Sequence, residues 1–92
     1  MEKEGNQQIS KFYKKISEID NNLMQLLTER FSIYSKIEEI KSNQEIKCFE
    51  ADYQQQTIDK LSEEYFGALD RKQIKSIFIP IFRISDIAQK RK

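Results

Sequence analysis

The first half of the chain carries apolar residues at alternating steps of three and four, a spacing that predicts one long amphipathic helix. The residues that share this apolar face are Ile9, Phe12, Ile16, Ile19, Leu23, Leu26, Ile33, Ile37 and Ile40. Such a heptad-like spacing is typical of helices that pack against other helices. The pattern predicts a helix over residues 9–43 with Ser10 as its N-cap. Residues 1–8 are expected to be disordered or frayed, and residues 9–92 to form one helical domain.

The predicted length of this helix favours a dimer. At about 1.5 Å per residue the helix would be roughly 50 Å long, whereas a compact chain of this size has a radius of gyration of about 12 Å. Two shorter helices cannot cover so long an apolar face. We therefore expect an intertwined homodimer in which the long helices of two chains share a core.

Two shorter helices are predicted after a connection over residues 43–49. The second helix is expected from near Glu50 to about Tyr65, and Gly67 fits the left-handed position that ends a helix. Asp70 then begins the third helix, with Gln73 as its capping-box partner. The apolar faces of the two helices contain Ile58, Leu61 and Tyr65, and then Ile74, Ile77, Phe78, Ile81 and Phe82. The fold class expected is all-α, with three helices per chain.

Proline interrupts the pattern of the third helix. Pro80 removes the backbone hydrogen bond from residue 80 to Ser76. A kink there would shift Ser85 and Gln89 relative to the long helix.

Polar residues interrupt or extend each apolar face. Arg30 stands where the heptad requires an apolar residue, and Lys41 follows eleven residues later. Because eleven residues make almost three full turns, the two cations share a face. The polar residues that extend the other two faces are Glu50, Gln54, Ser85 and Gln89. Either these are boundary positions, with Arg30 reaching to the edge of the seam, or they meet a polar ligand between the helices.

The composition excludes several classes of protein. The chain has no histidine and one cysteine, Cys48, which excludes a Cys/His zinc site, a Ser-His-Asp triad and a disulfide framework within one chain. Its 92 residues allow one domain, and its net charge of +1 argues against a strongly basic nucleic-acid binder. Residues 1–8 lack the apolar region of a signal peptide, and the apolar cluster 77–82 is too short to span a bilayer. With Cys48 as a packed thiol, these features predict a cytoplasmic protein that binds no metal, no nucleic acid and no membrane.

The charge of the last segment leaves one alternative open. Residues 71–92 hold seven Lys or Arg and one Asp. Binding of nucleic acid or a membrane surface through this helix is a less favoured alternative to a solvated basic face.

Four motifs occur in order along the chain: Ile16-Ser-Glu-Ile-Asp20-x-x-Leu23-x-x-Leu26-Leu27-x-Glu29-Arg30, then Lys41, then Phe49-Glu50-x-x-Tyr53-Gln54, then Phe78-(x)6-Ser85-(x)3-Gln89. Their order and spacing resemble the all-helical chorismate mutase family over roughly residues 9–91. The resemblance implies an intertwined homodimer with two active sites, each completed by the start of the partner's long helix. It also implies the pericyclic rearrangement of chorismate to prephenate in phenylalanine and tyrosine biosynthesis, which needs no metal and no cofactor.

The resemblance also assigns roles to individual residues. By similarity, Arg30 clamps a carboxylate of chorismate, Lys41 binds a carboxylate and donates to the ether oxygen, and Gln89 is the second donor to that oxygen. Such donors lower the barrier because negative charge builds on the ether oxygen as its bond breaks. The residues that the resemblance places in substrate binding are Glu50, Gln54, Ser85, Tyr13 and Tyr53.

The chain departs from the family's pattern at three of these positions. Tyr13 stands in place of the partner chain's arginine, Tyr53 in place of a basic residue, and Gln54 in place of a glutamate. Loss of two charge-assisted hydrogen bonds predicts transition-state binding weakened by about 10²–10⁴-fold if nothing compensates. The residues that could supply one cation from the partner chain are Lys11, Lys14 and Lys15.

These departures keep other functions open. The same fold could act on a relative of chorismate, as an aminodeoxychorismate mutase or an isochorismate-pyruvate lyase. It could also be a non-catalytic module that binds a ligand or docks on another aromatic-pathway enzyme and regulates it.

Overall fold

The computed structural model describes the backbone of residues 2–45 and 50–90 and the side chains of residues 4–45 and 51–86. It contains three helices: α1 (Glu2–Gln44), α2 (Glu50–Glu64) and α3 (Arg71–Lys90). The described ranges contain helices and turns without a strand, which confirms the expected all-α class with one very long first helix. Within the same ranges, none of the helices is apolar over a length that could cross a bilayer.

Helix α1 is longer than the apolar pattern predicts. It begins at Glu2, so Ser10 lies inside the helix and is not its N-cap. The residues before the apolar face are mostly Glu, Lys and Gln, which are good helix formers, and no proline stops the helix from extending through them. The helix ends at Gln44, where Glu45 takes a φ of 54°. A domain boundary at residue 8 stays a prediction.

The chain divides into two compact units, Met1–Ile33 and Tyr34–Lys92. The first unit consists of the first part of α1. The seven residues of the predicted apolar face that lie in this unit, from Ile9 to Ile33, are 50–62% exposed in the single chain. Residues Ile37 and Ile40, which continue the same face in the second unit, are 44% and 52% exposed. We call these nine residues, from Ile9 to Ile40, the α1 stripe.

In the second unit, α2 and α3 form a helical hairpin around a small apolar core. Its buried members are Ile58, Ile74 and Phe82, and Leu61 and Phe78 pack partly buried against them. The rings of Phe78 and Phe82 lie 6.0 Å apart between centroids, at an interplanar angle of 51°. The residues that form the core come from both helices, so each helix covers the other.

Two residues predicted to face inward are exposed. Tyr65 is 53% exposed and Ile77 is 48% exposed. Ile74, Phe78 and Phe82 follow each other at steps of four and form the row that faces α2, and Ile77 lies beside this row. Tyr65 comes after the last residue of α2, where the chain has begun to turn.

The turn between α2 and α3 confirms the predicted signals. Gly67 has a φ of +96°, the left-handed conformation expected there. Asp70 and Gln73 form the capping box: the backbone N–H of Gln73 donates to Asp70 Oδ1 at 2.7 Å, and the N–H of Asp70 donates to Gln73 Oε1 at 3.0 Å. This cap fixes the first turn of α3 and so sets the direction in which it returns along α2.

Helix α3 continues through Pro80. The helix extends from Arg71 to Lys90 although Pro80 cannot donate a hydrogen bond to the carbonyl of Ser76. One turn earlier, the hydroxyl of Ser76 donates to the carbonyl oxygen of Lys72 at 3.0 Å. The two halves of α3 are therefore joined by one backbone hydrogen bond fewer than an uninterrupted helix has.

Candidate active site

Lys41 lies in the last turn of α1 and is held by an acidic neighbour. Its Nζ lies 3.3 Å from Oε1 of Glu38, one turn earlier on the same helix. Each of the two side chains is only 18% exposed. The ammonium group is thus partly buried and oriented, as a cation that binds a carboxylate needs to be. An ammonium has three donors, so the bond to Glu38 leaves Lys41 able to donate to a ligand as well.

Ser85 is a buried polar residue of α3. It is 2% exposed, and its hydroxyl donates to the carbonyl oxygen of Ile81 at 2.9 Å. This bond satisfies the hydroxyl proton within the helix, and the hydroxyl oxygen keeps lone pairs that can accept a hydrogen bond. To donate to a ligand carboxylate, the hydroxyl of Ser85 has to rotate away from Ile81.

A hydrogen bond joins α1 to α3 at the residue that directly follows Ser85. The hydroxyl of Tyr34 donates to Oδ1 of Asp86 at 3.0 Å, and both side chains are partly buried. No motif in the sequence marks this pair. Tyr34 lies seven residues before Lys41, which places it on the same face and could have identified it. Asp86 is 52 residues away in the chain, and no sequence pattern links it to Tyr34.

The remaining predicted site residues differ in exposure. Gln54 on α2 is partly buried, whereas Tyr53 beside it is 59% exposed. In the first unit, Arg30 is partly buried and Tyr13 is 68% exposed.

Two predicted residues lie outside the described side chains. The backbones of Glu50 and Gln89 belong to α2 and α3, and their side chains are not among the described ones. Among the side chains of residues 51–86 and 34–45, no hydrogen bond joins Lys41, Gln54 and Ser85 to one another. The roles assigned to all eight site residues therefore stay predictions.

The described part of the second unit sets limits on the chemistry of this region. Of the predicted site residues with described side chains in this unit, Lys41 is the cation; the carboxylate of Glu38 lies one turn before it on α1, and that of Asp86 lies on α3. In the described part of the chain no cluster of His, Cys, Asp and Glu has the makings of a metal site. The groups present can bind an anion, donate hydrogen bonds and stabilise developing negative charge.

Comparison with known proteins identifies the family. The family model of chorismate mutase type II matches residues 12–90, a range that contains most of α1 and all of α2 and α3. No curated protein and no solved structure gives a match. Because the family match covers most of the chain and includes Arg30, Lys41 and Ser85, the chain belongs to the chorismate mutase type II family.

Proposed function

We propose that this protein is a chorismate mutase that converts chorismate to prephenate, the branch step toward phenylalanine and tyrosine. The observation that supports this most is the family match over residues 12–90, which contains Arg30 and Lys41 at the expected spacing on α1. The reaction is intramolecular, so the protein has to hold the reactive conformer and stabilise the charge that develops. Side chains that bind anions and donate hydrogen bonds suffice for both tasks.

In this proposal Arg30 and Lys41 bind the carboxylates of chorismate, and Lys41 and Gln89 donate to its ether oxygen. Because charge develops on that oxygen only as the bond breaks, these two donors stabilise the transition state more than the substrate. Glu50 and Gln54 contact the substrate hydroxyl and neighbouring groups, and Ser85 contacts a carboxylate. Neutral Gln89 donates without a titrating proton, so it imposes no acidic optimum on the rate.

The proposal includes a homodimer in which the α1 stripes of two chains cover each other. Support comes from the exposure of the stripe, which is 44–62% at every position in the single chain. Burial of a half-exposed leucine or isoleucine contributes about 1 kcal/mol, so nine such residues per chain form a substantial driving force. The dimer brings the start of α1, with Tyr13, to the partner chain's site.

Lys15 is the cation that best replaces the one missing near position 13. Its ammonium lies 5.8 Å from the centroid of the Phe12 ring, and Phe12 belongs to the α1 stripe. This contact keeps the charge at the edge of the surface that a second chain covers. Among Lys11, Lys14 and Lys15, we therefore propose Lys15 as the partner chain's contribution.

The experiment that tests the proposed function follows the loss of ultraviolet absorbance of chorismate with the purified protein. Prephenate is assayed as phenylpyruvate after acid treatment. The variants are Arg30→Ala and Lys41→Ala, and Lys36→Ala on the opposite face of α1 is the control. We expect turnover by the wild type, losses of about 10²-fold or more in the first two variants, and little change in Lys36→Ala. A folded dimer without turnover would contradict the proposal.

A second candidate is the same fold acting on a relative of chorismate. Tyr13 and Tyr53 lack the charge expected at their positions, and Glu38 lies against Lys41. The candidate site therefore has less positive charge than the family's pattern provides. This favours a substrate that itself carries an ammonium group, as aminodeoxychorismate does, over chorismate, which carries two carboxylates and no cation. Parallel assays with chorismate, aminodeoxychorismate and isochorismate decide between these reactions, and Glu38→Gln should shift the preference toward chorismate. Binding without turnover of any of the three would favour a regulatory module.

A further inference from the structure

We propose that Tyr34 and Asp86 are positioning residues, whose hydrogen bond fixes the second half of α3 against the face of α1 that carries Lys41. This inference rests on the proposed function. The bond measures 3.0 Å between Tyr34 Oη and Asp86 Oδ1 and joins residues 52 positions apart. Both side chains are partly buried, so the bond is shielded from competing water more than a surface contact would be.

The pair lies between residues that the proposed reaction uses. On α1, Tyr34 precedes Lys41 by seven residues, almost two full turns, so the two share a face. On α3, Asp86 directly follows Ser85 and precedes Gln89 by three residues, which places Gln89 on the next turn. The hydrogen bond therefore connects the Lys41 face of α1 to the part of α3 that carries Ser85 and Gln89.

The second half of α3 needs such a restraint because of Pro80. The proline removes the backbone hydrogen bond to Ser76, in the middle of the helix. Before this point, Ile74 anchors α3 to α2, and beyond it Phe82 packs into the same core. The Tyr34–Asp86 hydrogen bond lies one turn beyond Phe82 and joins this half of α3 to α1.

The proposed reaction depends on where the second half of α3 lies relative to Lys41 on α1. Lys41 on α1 and Gln89 on α3 both have to donate to one ether oxygen. A displacement of about 1 Å in such a pair can lower the rate by about 10²-fold. Since substrate carboxylates are bound mainly by Arg30 and Lys41, loss of the Tyr34–Asp86 bond should lower kcat more than it raises KM.

The kinetic test uses Tyr34→Phe, Asp86→Ala, Asp86→Asn and the double variant Tyr34→Phe/Asp86→Ala. We expect each of the first two to lower kcat by about 10-fold with KM within about 3-fold, as expected for one lost hydrogen bond. Asp86→Asn keeps an acceptor oxygen for the Tyr34 hydroxyl and should stay within about 3-fold of the wild type. The double variant should be no slower than either single variant, because both changes remove the same bond. Tyr65→Phe removes a half-exposed hydroxyl outside the site and is the matched control.

A second measurement does not depend on catalysis. Amide hydrogen exchange should become about 5–10-fold faster over residues 83–90 in Tyr34→Phe and Asp86→Ala, and stay unchanged over residues 72–79. Asp86→Asn and Tyr65→Phe should exchange like the wild type. Unchanged exchange over residues 83–90, or additive kcat losses in the double variant, would overturn the inference. If exchange responds as expected while the wild type turns over no chorismate, the positioning of α3 is supported and the proposed function fails.

Discussion

The α1 stripe and the α2–α3 hairpin carry apolar residues at similar spacings, yet their exposure in the single chain differs sharply. In the hairpin, Ile58 and Ile74 are 4% and 3% exposed, whereas every residue of the α1 stripe is at least 44% exposed. The hairpin has a capped turn, from Gly67 to Asp70, that returns α3 along α2. The difference shows that spacing predicts the helix, while the connection that follows decides whether its apolar face finds cover in the same chain.

This contrast separates two sources of stability. The hairpin contributes a small core that one chain can form by itself, with Ile58, Ile74 and Phe82 at its centre. Three buried apolar residues among the described side chains make a thin core, and small domains of this kind gain stability by oligomerisation. We therefore expect changes in the α1 stripe to act on assembly and changes in the hairpin to act on folding.

The largest effect is expected from a charge in the middle of the α1 stripe. Leu23 is 51% exposed in the single chain, and in the proposed dimer Leu23→Lys would place an ammonium group in each of two facing stripes. Because an unpaired buried charge costs several kcal/mol, the variant should be monomeric at micromolar concentration and catalytically inactive. Sedimentation equilibrium of the wild type and the variant measures the masses.

Asn21→Lys is the control for this substitution. Asn21 lies two residues before Leu23, on the opposite side of α1, and is exposed. Asn21→Lys adds the same charge without touching the α1 stripe, so this variant should keep the mass of a dimer. A wild type that sediments as a monomer, or a dimeric Leu23→Lys variant, would show that the stripe is not the dimer interface.

The next largest effect is expected in the core of the hairpin. Ile74→Ala removes methyl and methylene groups from a side chain that is 3% exposed, and should lower the free energy of unfolding by about 2–5 kcal/mol. Ile79→Ala on the same helix, where the side chain is 46% exposed, should lower it by much less. Urea titrations at one fixed protein concentration measure the free energy of unfolding of the two variants, since the stability of a dimer depends on concentration. Equal losses in the two variants would show that α3 packs by another face.

A smaller effect is expected from the cap of α3. Asp70→Ala removes the acceptor of the Gln73 N–H and should cost about 0.5–2 kcal/mol of unfolding free energy. Asp70→Asn keeps an acceptor at the same place and should recover most of the loss. The same urea titration measures both variants. If Asp70→Asn were as unstable as Asp70→Ala, the charge of Asp70 would matter more than the cap.

Local signals in the sequence predicted much of the fold. The capping box of Asp70 and Gln73 and the left-handed Gly67 depend on neighbours three residues away or fewer, and the structure confirms both. The start of α1 was predicted wrongly because the apolar pattern marks only the part of a helix that packs. Polar helix formers carry the helix back to Glu2 without any apolar residue to reveal it.

Less of the candidate site could be predicted from the residues alone. Arg30 stood out because it occupies an apolar position of the heptad, and Ser85 because it extends the apolar face of the third helix; Arg30 is partly buried and Ser85 is buried. Glu38 did not stand out, since an acid three residues before a lysine is common on exposed helix faces. The partnership of Tyr34 with Asp86 is a product of tertiary structure and leaves no periodic trace in the sequence.

The smallest effect is expected from an exposed ion pair that joins α2 to the start of α3. Arg71 and Gln55 both donate to Oδ1 of Asp59, and these hydrogen bonds, that from Arg71 above all, lower the pKa of the Asp59 carboxyl. Asp59 therefore binds a proton less readily in the folded state than in the unfolded state. The ion pair thus stabilises the protein at any pH above the pKa of Asp59 in the unfolded chain, about 3.9. That contribution is lost as the pH falls through the lower, folded pKa.

Asp59→Asn measures this contribution directly. The variant should be slightly less stable than the wild type at pH 7, and the difference should shrink steadily below about pH 4, where Asp59 itself takes up a proton. High salt at pH 7 should reduce the difference as well, since the pair is exposed to solvent. Glu63→Gln, at an exposed acid on the same helix, is the matched control in urea titrations at pH 7, 4 and 3. A difference between Asp59→Asn and wild type that grows toward low pH would mean that the Arg71 contact is absent in solution, and that the hairpin is held by its apolar core and its capped turn.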